Sequence, residues 1–168
     1  MAGRTAGAIG GIALRLCATI LACALAYTAA AQSIDRAQNL AQSAHHAAGA
    51  RVPLLVFFSQ PGCPYCDEAR RDYLEPMGSN PATRSTLRIV EVDITSDAPL
   101  VDFSGRHTTH GAFAQLQGVH VVPVVAFVGA RGEALAERLI GLTLPDFYQS
   151  TLDRRIEQAR ARLAPPAR

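Results

Sequence analysis

Two thiols separated by two residues, Cys63-Pro64-Tyr65-Cys66, follow an apolar run and a Ser59-Gln60-Pro61-Gly62 turn, and they open a segment with helical character. At a helix N-terminus the unpaired backbone N–H groups and the dipole favour an anion, so Cys63 is expected to ionise well below the free-thiol value of about 8.5. A thiolate there attacks disulfides. Cys66, one turn along, is placed to displace the partner's sulfur from the mixed disulfide. The same pair has other readings. A structural disulfide closing so short a loop would restrain the unfolded chain little. Zinc or an iron–sulfur cluster would need further ligands, and His107, His110 and His120 have no compact ligand spacing around the pair. No metal and no cofactor is therefore expected, with a cluster bridged between two copies of the chain left as an alternative.

The other two cysteines, Cys17 and Cys23, lie in a segment with a different job. Residues 1–31 carry Arg4 and Arg15 and no acid, then an apolar stretch from Leu16 to Ala26, then Ala29-Ala30-Ala31 before Gln32. That order of charge, short apolar core and small residues predicts a cleavable secretory signal, with cleavage after Ala31; the core is short for a bilayer span. An uncleaved anchor is the alternative. Ile20-Leu21-Ala22-Cys23 also loosely resembles a lipoprotein cleavage box, although Arg15 leaves little apolar core ahead of it. Export would deliver residues 32–168, one domain with Cys63 and Cys66 as its only cysteines, to a periplasmic compartment where disulfides persist. All sixteen basic residues of the chain are Arg; fourteen of them fall beyond residue 31, against fourteen acids. A domain with no net charge gives no electrostatic reason to bind nucleic acid or an anionic membrane surface.

Apolar periodicity supplies the framework. Ser33 is expected to cap a helix with Ile34, Ala37, Leu40, Ala41, Ala44, Ala47 and Ala48 on its inner face and Gly49 as its stop. Val52 to Phe58 reads as a strand buried on both faces. The redox helix is expected from about Cys63 to Leu74, ended by Pro76 and Gly78. Leu87 to Ile94 reads as a second strand whose inward members are Leu87, Ile89, Val92 and Ile94, followed by a surface loop or short hairpin to His107. A short helix over about 108–117, capped by Thr108 or Thr109 and facing inward with Phe113 and Leu116, ends at Gly118. Val119 to Val128 is an apolar strand region interrupted by His120 and by Pro123, which cannot donate to a sheet. A turn at 129–132 leads to a last strand over about 134–140, closed by Gly141. Pro145 opens a final helix with Phe147, Leu152, Ile156, Ala159 and Leu163 on one face, before Pro165-Pro166.

This order of elements, together with Cys63-Pro64-Tyr65-Cys66, Val122-Pro123 and Gly141, resembles the thioredoxin superfamily over nearly all of residues 34–163. Gln60-Pro61-Gly62 before the motif, Val92-Asp93, Asp102-Phe103-Ser104-Gly105 and the run from Gly118-Val119 to Pro123 are similar to exported bacterial thioredoxin-like proteins of the SoxW type. The resemblance implies an α/β thioredoxin-like fold, a central mixed sheet of about four strands flanked by helices, with an extra N-terminal helix. It also implies a cis Val122–Pro123 bond facing the cysteines, where the backbone of Val122 can pair with an extended partner segment. Pro64 and Tyr65 then belong to the substrate-binding surface, Tyr65 either hydrogen-bonding near the sulfurs or lining the docking area. Thioredoxins carry a Trp before the first cysteine and a buried Asp in the preceding strand; this chain has no Trp, and Leu54-Leu55-Val56-Phe57-Phe58 has no acid. Deprotonation of Cys66 falls to water or to a neighbour such as Asp67 or Glu68, which as first-turn acids are explained by the dipole alone.

The motif also occurs in glutaredoxins, but Val124-Val125-Ala126-Phe127 after Pro123 lacks their glutathione-binding Gly-Gly turn and acid. The expected function is an exported thiol:disulfide oxidoreductase, with Cys63 as nucleophile, Cys66 as resolving thiol and exported protein disulfides or thiols as partners. Within it a reductase is favoured, fed by a membrane thiol-transfer electron donor as the SoxW-type resemblance implies. A disulfide-forming oxidant or isomerase of the same fold is the alternative, followed by a non-catalytic binding module with a structural disulfide.

Overall fold

The structure, a computed structural model, describes residues 34–142 and 145–164. The expected signal segment with Cys17 and Cys23, the Ser33 cap and Pro165-Pro166 lie outside the described residues. Among the described residues no helix is long and apolar enough to cross a membrane.

Strand β2 (Leu54–Ser59) is buried along its whole length, because alternate side chains enter different halves of the core. Leu54, Val56 and Phe58 face one hydrophobic cluster, Leu55 and Phe57 the other. That is why its sequence is continuously apolar rather than alternating. Around it a mixed sheet of five strands forms in the order β1 (Asp35–Arg36), β3 (Arg88–Asp93), β2, β6 (Val124–Val128), β7 (Ala134–Ile140). β3 runs parallel to β2 with Phe57 beside Glu91; β6 and β7 are antiparallel neighbours. This is the α/β thioredoxin-like fold the sequence implies, with β1 as a fifth strand pairing parallel to β3.

The N-terminal helix is shorter than its periodicity predicts. Asp35 and Arg36 are taken by the sheet, and α1 (Leu40–Gly49) starts at Asn39, whose Oδ1 accepts the Gln42 N–H at 2.8 Å. Gly49 does not stop it. Arg51 does, in the left-handed region at φ 57°, with the Val52 N–H on the Ala47 carbonyl and the Arg51 N–H on the Ala48 carbonyl. Those two bonds form the six-to-one and five-to-two closure of a Schellman end, at a position that ordinarily takes glycine.

The redox helix α2 spans 64–79 in three stretches: regular over Pro64–Glu68, π-helical over Ala69–Leu74, regular again over Glu75–Ser79. Pro76 and Gly78 therefore do not end it. A proline inside a regular helix loses one hydrogen bond and collides with the carbonyl four residues back. The wider π turns just before Pro76 open that spacing. Asn80 ends the helix and caps a short α3 (Pro81–Arg84), an Asn-Pro start that sequence reasoning passed over.

The β3–β6 connection holds a hairpin of β4 (Pro99–Val101) and β5 (His107–Thr109), then α4 (His110–Leu116) capped by Thr109. Buried Asp102 ties the hairpin turn. Burial pushes its carboxyl pKa up, but bonds from Ser104 and Arg106 prevail and hold it at about 2. Leu116 is 73 % exposed, against expectation. The inner face of α4 is set by His110, Phe113 and Ala114, and Leu116 lies about 120° round from its centre. His110 is buried and accepts the Asp93 N–H on Nδ1, joining α4 to the end of β3; burial lowers its pKa. In α5 (Pro145–Leu163) the face is likewise turned by one residue: Tyr148, Leu152, Ile156 and Ala159 are buried, whereas Phe147 is exposed. In β3, Leu87 just before it and Val92 are buried as expected; Val90, which the pattern did not single out, is buried too, whereas Ile89 and Ile94 are only partly covered.

Arg51 offers a direct check on the α1 end. Arg51→Gly removes the left-handed penalty at slight cost in unfolded-chain entropy, so urea unfolding should show a gain of about 0.5–1 kcal/mol. No gain would mean that the Arg51 side chain compensates for its backbone.

Candidate active site

The turn after β2 delivers the cysteines. Gly62 takes φ 71°, which only glycine adopts without strain, and swings Cys63 into the N-cap position of α2. Cys63 Sγ accepts the Cys66 N–H at 3.1 Å, while the Cys63 carbonyl accepts the N–H groups of Cys66 and Asp67. The two sulfurs are joined as a disulfide, with Cα atoms 5.2 Å apart. Cys63 keeps 8 % exposure and Cys66 none. An incoming thiolate thus finds its target at Cys63, and the resolving sulfur stays covered.

Pro64 and Tyr65 stand at the surface between the cysteines, Tyr65 at 61 % exposure. The Val122–Pro123 bond is cis. Pro123 is buried, and Val122 packs against both halves of the core, including the cluster that holds the two cysteines. The Gly141 N–H, at φ 73°, donates to the Pro123 carbonyl at 2.8 Å, locking the end of β7 to this loop. Val121 and Ile140 beside these positions are exposed apolar side chains that sequence reasoning did not single out.

The charged part of the site was also missed. Glu91 of β3 lies beside Phe57, on the sheet face covered by α2. Arg70, four residues after Cys66, holds the Glu91 carboxylate and also donates to Asp67 at 2.8 Å. Its guanidinium lies over the Phe57 ring, 5.5 Å from the centroid. The buried Ser59 hydroxyl donates to the same Glu91 carboxylate. The signal for this was present in β3: at Glu91 the apolar alternation of Leu87 and Ile89 is broken by an acid. Asp67 is 60 % exposed at its side chain. Among the described residues no group of three or more His, Cys, Asp or Glu is arranged to hold a metal ion.

A domain of this architecture, with a dithiol at the start of the helix after β2 and a cis-proline loop, is a thioredoxin-like domain. Residues 40–156 match the family model of that description, and the chain belongs to this family. Among solved structures it is similar to the thioredoxin Mala s 13 of Malassezia sympodialis, with a TM-score of 0.51 at 16 % identity, covering 77 % of this chain and 95 % of that one. It is also similar to the thioredoxin of Fasciola hepatica, with a TM-score of 0.51 at 14 % identity, covering 75 % and 99 %. A mutant of a poplar thioredoxin h gives 0.52 at 16 % identity, covering 79 % and 88 %. At such identities the likeness concerns the fold. No curated protein sequence matches significantly. The protein is a thioredoxin-like thiol:disulfide oxidoreductase whose redox-active pair is Cys63–Cys66.

Arg70 carries unequal partners, and substitution should separate them. Asp67→Asn removes an exposed pair and should cost less than about 1 kcal/mol in urea unfolding. Arg70→Leu strands the mostly covered Glu91 carboxylate and should cost about 2 kcal/mol. Equal costs would mean that the Arg70–Glu91 contact adds nothing beyond a surface pair.

Proposed function

We propose that the protein is an exported reductase of protein disulfides, working in the periplasm and recharged by a membrane thiol-transfer donor. The Cys63 thiolate attacks a partner disulfide and forms a mixed disulfide; Cys66 then attacks Cys63 Sγ, releases the reduced partner and restores the observed Cys63–Cys66 bond. Val122–Pro123, Pro64 and Tyr65 form the docking edge, where an extended partner segment pairs with backbone in the manner of an added strand.

One observation carries the reducing direction: the charges around the pair. Asp67 in the first turn and Glu68 after it follow Cys66, and Glu91 lies beneath the helix, while Arg70 is shared between Asp67 and Glu91. Negative neighbours disfavour a thiolate and leave the uncharged disulfide unaffected, so they bias the couple towards its oxidised form and give it reducing power. The β3–β6 connection carries only a hairpin and the seven-residue α4, in contrast to the large helical insertion of exported oxidants of this fold. Export rests on the residue pattern over 1–31, and the electron donor on the SoxW-type resemblance.

The deciding measurement is the reduction potential of the pair, by equilibration in thiol buffers with alkylation readout, on the full chain bearing Cys17→Ser and Cys23→Ser. A reductase should fall near the about −270 mV of thioredoxin; a value near about −120 mV would reverse the direction and make the protein a disulfide donor. Turnover itself is checked by trapping. Cys66→Ser should accumulate mixed disulfides with exported proteins through Cys63, and Cys63→Ser should abolish them. A binding module with a structural disulfide would trap nothing with either variant.

A further inference from the structure

His110 opens α4 and is buried, with 1 % of its surface exposed. Its Nδ1 accepts the Asp93 N–H at 3.2 Å, so the ring is neutral and engages the backbone at the end of β3. That strand end adjoins the redox site. Asp93 stands beside Ser59 in register, and the Ile94 N–H donates at 2.9 Å to the carbonyl of Ser59, which leads into the cysteine turn.

The other end of α4 leads to the docking edge. The helix backbone is held at its start by the turn after β3, through the His110 N–H on the Ala98 carbonyl and the Gly111 N–H on the Ser96 carbonyl. The imidazole adds the bond that reaches β3 itself. At the far end the Gly118 N–H donates to the Gln115 carbonyl and the Val119 N–H to the Ala114 carbonyl, and the chain passes into the loop that carries Val122 and Pro123. One short helix thus connects the strand end beside the cysteine turn to the loop that faces the cysteines.

A proton breaks the tie, because an imidazolium carries hydrogen on both nitrogens and Nδ1 no longer accepts. Burial, above all, and the Arg36 guanidinium of β1 oppose that charge, whereas the Ala37 carbonyl and the carboxylates of Asp93 and Glu91 in β3 favour it. The opposing effects prevail and hold the ring below its ordinary pKa of 6.5. The unfolded chain then takes the proton more readily than the folded one. The stability owed to the neutral ring is therefore complete above about pH 6.5 and is lost as the pH falls below it. The charged ring also has room to move. His110 reaches the wall of a cleft of about 460 Å³ between residues 36–38 and the β4–β5 hairpin, which His107 of β5 shares.

We propose that His110 is a pH-sensitive pin for the docking edge: neutral, it fixes α4 to the end of β3 and so sets the Val122–Pro123 loop against the cysteines; protonated from solvent, it swings into the cleft and lets α4 and the loop shift. Acid then weakens the docking of an extended partner segment. That consequence rests on the dithiol-exchange reading; the pin itself does not.

NMR titration of the full chain bearing Cys17→Ser and Cys23→Ser, from pH 7.5 to 5.0, follows the His110 ring and the backbone amides together. The amide signals of Asp93, Val121 and Val122 should shift with the midpoint of the ring. In His110→Asn, whose Oδ1 keeps an acceptor for the Asp93 N–H but does not titrate, those shifts should vanish. The melting temperature of the parent should fall over the same interval by at least about 3 °C more than that of His110→Asn. A ring that stays neutral to pH 5.0, or Val121 and Val122 amides that ignore its titration, would overturn the proposal. Docking is read by giving the reduced chain two probes with one leaving group, 5,5′-dithiobis(2-nitrobenzoate) and an extended peptide whose cysteine carries thionitrobenzoate. The ratio of the peptide rate to the small-probe rate should drop at least about threefold from pH 7.5 to 5.0 in the parent and hold steady in His110→Asn. An equal drop in both would refute the effect on docking. If Cys63 attacks neither probe at any pH, the exchange reading fails, while the NMR titration still decides for or against the pin.

Discussion

The contact on which the site depends is the Cys66 N–H directed at Cys63 Sγ. It exists because Cys63 is the N-cap of a helix, and an N-cap side chain is the one place in a helical segment where an atom meets free backbone donors. Everything upstream serves that placement. β2 is buried on both faces and therefore fixed in register between β3 and β6. Gly62 provides the left-handed step that turns the strand's direction into the helix axis. Pro64, at the first helical position, lacks only an N–H that would have had no helical partner.

Under that helix the fold tolerates charge where it would be expected to exclude it. The layer between sheet and α2 is apolar through Leu55, Phe57, Ala69 and Leu74, yet Glu91 enters it. Its carboxylate is compensated from two directions, by a guanidinium that also rests on the Phe57 ring and by a buried hydroxyl. A partly covered ion pair is a weak source of stability, since desolvation offsets much of the attraction.

Most of the architecture was legible from residue patterns, because the strongest signals coincide with the deepest burial. β2, the start of the motif helix, β6, β7 and α5 all appear where the apolar runs and turn residues predict them. The errors share a cause: local rules yielding to tertiary partners. Asp35 and Arg36 fit a helix by periodicity but find strand partners in Val90 and Glu91. Pro76 reads as a stop, but π turns accommodate it. Leu116 and Phe147 sit one position off the buried faces of α4 and α5, an offset that composition cannot resolve in a short or amphipathic segment. At the site, the two sulfurs were evident from spacing alone. The Arg70–Glu91–Ser59 group was not, because it joins three elements that only the sheet register brings together.

Two opposed electrostatic effects meet at the pair. The helix N-terminus favours the thiolate of Cys63, which makes a better leaving sulfur and a more oxidising couple. Asp67, Glu68 and the Glu91 trio act the other way, and they lie on the Cys66 side of the motif. Because charge effects weaken with distance and exposure, partly covered Glu91 should weigh more than exposed Asp67.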